Sequence, residues 1–130
     1  MNILLVDDNE ILLDSLSTWL HRQMPGNRIF IGFNGKDGIE ILKRDRVDLI
    51  VTDLCMPVMN GYAFIEQKNN ICPDTPLIAM TSDRSDEVMT RLMVLGVTHC
   101  LEKPFEFASL AGRLMEAIHA DRSHCEAVAV

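Results

Sequence analysis

Asp7, Asp8, Asp53, Thr81 and Lys103 are the residues of this chain whose types could manage a phosphoryl group. Asp53 ends the apolar run Leu49-Ile50-Val51, just before Met56-Pro57 and Asn60-Gly61 stop regular structure. Asp7-Asp8 follows Ile3-Leu4-Leu5-Val6, Thr81 follows the run ending at Met80, and Lys103 follows the run ending at Leu101. Any one of these has an ordinary explanation as a helix cap, a strand end or a solvated turn. Five at strand ends of one parallel sheet would share one edge, where open α/β sheets bind their ligands. Three carboxylates about 4 Å apart at an effective dielectric near 20 repel by on the order of 4 kcal/mol per pair. Raised pKa values, a cation, or both must compensate. With no His or zinc-type Cys pair, the donors are hard oxygens and suit Mg²⁺ (or Mn²⁺) better than zinc. Lys103 could hold one phosphate oxygen as a point charge and Thr81 could hydrogen-bond another. Asp53 is the carboxylate placed to act as nucleophile.

The elements that must position these residues alternate along the chain. Strands are expected at Asn2–Val6, Arg28–Gly32, the run ending at Asp53, Pro76–Met80 and Val97–Leu101. The runs before Asp7 and Asp53 lack polar alternation, as for strands buried on both faces. Helices are expected over Glu10–Gln23, with Asn9 as N-cap and Leu12, Leu16, Trp19 and Leu20 on one face. Further helices are expected over Asp37–Arg44, Tyr62–Lys68, Ser85–Leu95 and Phe107–Ala120. Their inward residues are Ile39, Ile41 and Leu42; Val88, Leu92 and Leu95; and Leu110, Leu114, Ala117 and Ile118. Asn34-Gly35 reads as a turn, and Gly96 as the stop of the fourth helix. Met89 and Met93 are placed on that helix's exposed side. Five β-α units predict an α/β fold with a five-stranded parallel sheet and helices on both faces. Periodicity fades from Asp121 onward, as in a frayed end or the start of a linker.

Composition narrows the chemistry. A chain of 130 residues, 48% hydrophobic, suits one packed domain. The net charge of −7 argues against direct nucleic-acid binding by this segment. Cys55, Cys72, Cys100 and Cys125 are widely spaced, which favours reduced thiols in a cytoplasm. No signal peptide and no run of membrane-spanning length is apparent, so no membrane partner is expected. His21, His99, His119 and His124 stand outside the constellation and read as surface or packing residues.

Asp7-Asp8, the run from Asp53 through Met56-Pro57 to Asn60-Gly61, Thr81-Ser82 and Lys103-Pro104-Phe105 together resemble the marks of the receiver domain of two-component response regulators. The resemblance covers about the first 118 residues. It implies a flavodoxin-like, doubly wound (βα)5 fold with strand order 2-1-3-4-5. It implies a receiver domain over 1–120 with a tail or linker over 121–130, and a phosphorylation-activated switch rather than an enzyme, with weak self-phosphorylation and self-dephosphorylation. Asp53 would take a phosphoryl group from a sensor histidine kinase or histidine phosphotransfer protein. Asp8, Asp53 and the Cys55 backbone carbonyl would ligate Mg²⁺, with Asp7 acting through water. Thr81 would be the switch hydroxyl and Lys103 the phosphate-binding amine. The output surface would be the fourth helix, fifth strand and fifth helix, which could also form a homodimer, and the chain would be either a stand-alone receiver or the amino-terminal part of a longer regulator with an output domain outside this chain. Cys100 departs from the family, which often carries Tyr or Phe there, while Cys55 and Asp83 are placed to modulate how water reaches the phosphoryl group.

Three other readings share the acidic edge, one of them a degenerate receiver that serves only as a binding module. A Mg²⁺-dependent phosphatase with an aspartyl nucleophile would need an Asp-x-Asp pair on the first strand, where this chain has adjacent acids. A nucleotide- or flavin-binding module would need a phosphate loop after that strand, where acids would repel phosphate.

Overall fold

A computed structural model of the chain describes residues 1–117. Strands β1 (Asn2–Val6), β2 (Arg28–Gly32), β3 (Leu49–Asp53), β4 (Leu77–Thr81) and β5 (His99–Glu102) alternate with helices α1 (Glu10–Gln23), α2 (Gly35–Arg44), α3 (Gly61–Ile71) and α4 (Asp86–Val94). Residues 107–117 are helical and form α5 as far as the description extends. The strands are all parallel, in the order β2-β1-β3-β4-β5. This is the doubly wound arrangement expected from the sequence.

Side-chain alternation along the strands divides the core into two layers. Leu4, Val6, Ile50 and Ala79 face α2, α3 and α4, meeting Ile39, Leu42, Phe64, Ile65 and Leu92. Ile3, Leu5, Val51, Ile78 and Met80 face α1 and α5, meeting Leu13, Leu16, Leu20, Leu110 and Leu114. Strands β3 and β4 are buried at every residue because helices cover both their faces. Trp19 is half-buried on the second layer, its ring 5.8 Å from that of Phe107.

Several local expectations shift. Leu13, not Leu12, is the buried partner of Leu16 and Leu20, because 13, 16 and 20 follow the i, i+3, i+7 stripe. Asn34 and Asn60 do not make free-standing turns. Their side chains accept from the backbone N–H of Asp37 and Ala63, so α2 begins at Gly35 and α3 at Gly61. Helix α3 runs on to Ile71, where the buried Lys68 ammonium donates to the Pro73 carbonyl (3.2 Å) and the Asn69 side chain (3.3 Å). β4 and β5 lie one or two residues later than expected. Met93 is exposed as anticipated, but Met89 packs partly against the core. Ser85 caps α4, and Gly96 follows its end with φ of +82°. Ile118, His119, His124, Cys125 and the tail from Asp121 lie outside the described residues.

Candidate functional site

Strand register brings the polar residues together. Val6 pairs with Thr52, Thr52 with Ala79, and Met80 with Leu101, so the carboxyl ends of β1, β3, β4 and β5 finish at one edge. Backbone hydrogen bonds continue past the strand ends and hold each functional residue. Asp7 N–H donates to Gly32 (3.1 Å), Leu54 N–H to Met80 (3.2 Å), and Lys103 N–H to Thr81 (2.8 Å). Gly61 N–H donates back to the Leu54 carbonyl at 3.0 Å, clamping the start of α3 against the end of β3.

Asp7 is fully buried, Asp53 nearly so, and Asp8 exposed. Their carboxylates offer oxygen atoms that all lie within 4.8 Å of one another. The Lys103 ammonium sits 2.6 Å from Asp7 Oδ2 and 3.6 Å from Asp53 Oδ2. Asp7 Oδ1 accepts from Asn9 N–H, and Asp53 Oδ1 from Leu54 N–H. Part of this repulsion is met within the chain itself. A cation sits between two of the acids, and the Asp53 carboxyl is held above its ordinary value of 3.8. Burial is the largest cause of that rise and the Asp7 charge the next; Lys103 and the N–H groups of Leu54 and Cys55 pull the other way.

A raised carboxyl pKa stabilises the folded state only at acid pH. The folded protein keeps a proton that the unfolded chain has lost, and this advantage disappears as pH rises through the folded-state pKa. At neutral pH a buried Asp53 carboxylate therefore costs stability. Asp53→Asn should gain about 1 kcal/mol at a pH of about 7.5. The gain should vanish below the ordinary Asp pKa of 3.8, as read by urea denaturation at both pH values. An equal gain at both would tie it to something other than the charge.

Thr81 is buried, and its hydroxyl donates to the Asp83 carbonyl and accepts from Asp83 N–H, both at 3.0 Å. The Asp83 carboxylate in turn accepts from Ser85 N–H at 2.9 Å. Thr81 is therefore engaged with its own β4–α4 loop, and Asp83 acts as a loop tie. Cys55 is exposed beside Asp53. Cys100 pairs with Ala79 across the sheet and lines a cavity of about 370 Å³ with Met89, Leu92, Val97, Arg84 and Arg113. Burial pushes its thiol pKa up, against the opposing pull of Arg84 and Arg113. His99 lies beside it, half-buried, on the rim of a separate cavity near Lys68.

Two residues that sequence reasoning left unassigned flank this edge. The Arg91 guanidinium on α4 stacks 3.8 Å over the Tyr62 ring on α3. Only the fold joins residues 62 and 91, so no sequence pattern points to the pair.

A doubly wound parallel sheet that gathers acids, a hydroxyl and an amine at the carboxyl ends of its strands places them where open α/β folds bind their ligands. The response regulator receiver domain family matches residues 3–115, and the chain belongs to that family. It is the phosphoryl-accepting switch domain of two-component systems. The transcriptional regulatory protein CrdR of Helicobacter pylori is 29% identical over 120 residues, covering 92% of this chain and 55% of CrdR. The response regulator SaeR of Staphylococcus aureus is 27% identical over 113 residues, covering 87% of this chain and 48% of SaeR. The chain thus spans about half the length of these curated relatives. The chemotaxis protein CheY4 of Vibrio cholerae superposes with a TM-score of 0.82 at 26% identity, covering 89% of this chain and 97% of CheY4. A CheY-like receiver domain from Methanospirillum hungatei reaches a TM-score of 0.87 at 23% identity, over 95% and 97% of the two chains, and shares the fold. Among the described residues no helix is long and apolar enough to cross a membrane.

Proposed function

We propose that Asp53 is the phosphoacceptor and that Asp7, Asp8, Thr81 and Lys103 complete its site. The observation that carries this reading is the placement of Lys103 within 3.6 Å of Asp53 and 2.6 Å of Asp7 at the sheet edge. An Asp53 carboxylate oxygen bonds to phosphorus as the P–N bond of a donor phosphohistidine breaks. The electron pair leaves with the imidazole nitrogen, which takes up a proton. Lys103 offsets negative charge on the phosphoryl oxygens, and the N–H groups of Leu54 and Cys55 hold the carboxylate in place.

The oxygen-only donor set of Asp7, Asp8 and Asp53 fits Mg²⁺ or Mn²⁺; Asp8, Asp53 and the Cys55 carbonyl would hold the ion, and Asp7 would act on it through water. Such an ion would neutralise the carboxylates and the incoming phosphate oxygens. Self-phosphorylation from small donors and slow self-dephosphorylation follow from the same site, with Cys55 and Asp83 bordering the water's approach and Cys100 in place of an aromatic switch residue.

Thr81 trades its two bonds with Asp83 for a phosphoryl oxygen, which releases the β4–α4 loop and shifts the α4-β5-α5 surface. The donor is a sensor histidine kinase or histidine phosphotransfer protein in the cytoplasm. Residues 1–120 form the receiver, 121–130 are a C-terminal tail or the start of a linker, and α4-β5-α5 can pair two copies. The coverage of only about half of CrdR and SaeR supports an output domain.

Intact-mass analysis with acetyl phosphate tests the assignment. Wild type should gain one phosphoryl group in Mg²⁺ and none in a chelator, and Asp53→Asn should gain none. A gain persisting in Asp53→Asn would place the acceptor elsewhere. Thr81→Ala should still gain the group but show no change of hydrogen exchange in α4 on phosphorylation. A wild-type-like change would remove Thr81 from the switch.

A further inference from the structure

Helix α4 is weakly anchored. Of its nine residues only Leu92 is fully buried, and Val88 and Met89 are partly so. Two polar ties join it to α3. At its carboxyl end the Asn69 side-chain amide donates to the Leu95 carbonyl at 3.0 Å. One turn earlier, Arg91 stacks on Tyr62, the second residue of α3. Tyr62 is half-buried at the start of α3, and its ring stands between that helix and Arg91 of α4. A cation over a ring face holds only while the helices keep this spacing.

We propose that the Arg91–Tyr62 stack is a latch that holds α4 in its unphosphorylated arrangement, with the Asn69–Leu95 hydrogen bond as the fixed end. The proposal rests on the reading of Asp53 and Thr81 given above. Thr81, Asp83 and Ser85 form a chain of bonds leading into the first turn of α4. When Thr81 leaves Asp83, that turn loses its anchor and the stack is what remains to resist tilting. A contact present in only one arrangement biases the equilibrium toward it, and removing the contact shifts the population by the same factor. Breaking the latch thus favours the phosphoryl-accepting arrangement.

The 130-residue chain is treated with acetyl phosphate and Mg²⁺ and followed by intact mass, and hydrogen exchange of the α4 amides is measured without phosphodonor. Arg91→Ala and Tyr62→Leu should each speed phosphorylation at Asp53 by about 2- to 5-fold, the range expected for an exposed cation–π contact. The double variant should be no faster than the faster single one. Tyr62→Phe keeps the ring face and Arg91→Lys keeps a cation, so both should stay within about twofold of wild type. Arg91 is exposed, so Arg91→Ala tests the latch even if Tyr62→Leu folds poorly. Exchange in α4 should rise in Arg91→Ala. Faster exchange with an unchanged phosphorylation rate would reduce the stack to a packing contact, and additive effects in the double variant would show that the two residues act separately. If wild type takes up no phosphoryl group, the Asp53 reading fails by itself, and unchanged α4 exchange in Arg91→Ala would overturn the latch independently.

Discussion

Lys103→Met should lower the urea midpoint at a pH of about 7.5 by on the order of 1–2 M, and by less at acid pH. The ammonium of Lys103 is the cation that faces both Asp7 and Asp53. Methionine keeps most of the volume and removes the charge. Asp7, with no exposure to water, is then left with the Asn9 N–H and a neighbouring carboxylate. Removing one partner of a buried pair costs about 3–5 kcal/mol; Lys103 is 22% exposed, which places the loss near the lower figure. Lys103 also holds the Asp53 pKa down, so its removal pushes that pKa further up. The folded variant therefore binds more protons than its unfolded chain, and its stability falls as pH rises through the raised pKa. Acid should shrink the difference from wild type, and so should Mg²⁺, which stabilises whatever state binds it. Equal losses at both pH values, insensitive to Mg²⁺, would mean that Lys103 acts by packing.

The same residue shows how far the sequence could be read. Lys103 and Asp7 are 96 positions apart, yet both follow apolar runs of strand length, and parallel topology alone sends such residues to one edge. Asp8, Asp53 and Thr81 were legible in the same way. What the sequence hid was of two kinds. Adjacent residues of one type hide which of them faces inward: Leu12 and Leu13 are chemically equal, and only the packed stripe selects Leu13. Asn-Gly serves equally as a turn or as a cap and first helical residue, so the starts of α2 and α3 needed the accepted N–H bonds to settle them. The second kind is contact between helices. The Arg91–Tyr62 stack, the Asn69–Leu95 bond and the half-burial of Met89 all depend on how α3 and α4 lie together, which no local pattern encodes.

Gly61→Ala should lower the melting temperature by on the order of 10 °C, corresponding to about 2–3 kcal/mol, and slow phosphorylation by about 10-fold or more. Gly61 opens α3 directly against the end of β3. A Cβ there would run into the Asp53 carbonyl oxygen and lie 2.6 Å from Leu54 Cα. Both are backbone atoms, so no side-chain rotation relieves the clash. The helix start must move away, straining the Gly61–Leu54 hydrogen bond, or the Asp53–Leu54 peptide must shift. That peptide supplies the Leu54 N–H that holds the Asp53 carboxylate, and a displacement of an ångström at a reacting group is costly. Gly112→Ala is the control, since nothing lies within 4 Å of its Cβ and it sits in α5, where alanine favours the helix by up to about 1 kcal/mol. It should leave phosphorylation unchanged. A loss of stability in Gly61→Ala with a normal phosphorylation rate would mean that the helix yields and the strand end does not. Loss of both would show that the glycine keeps Asp53 in place.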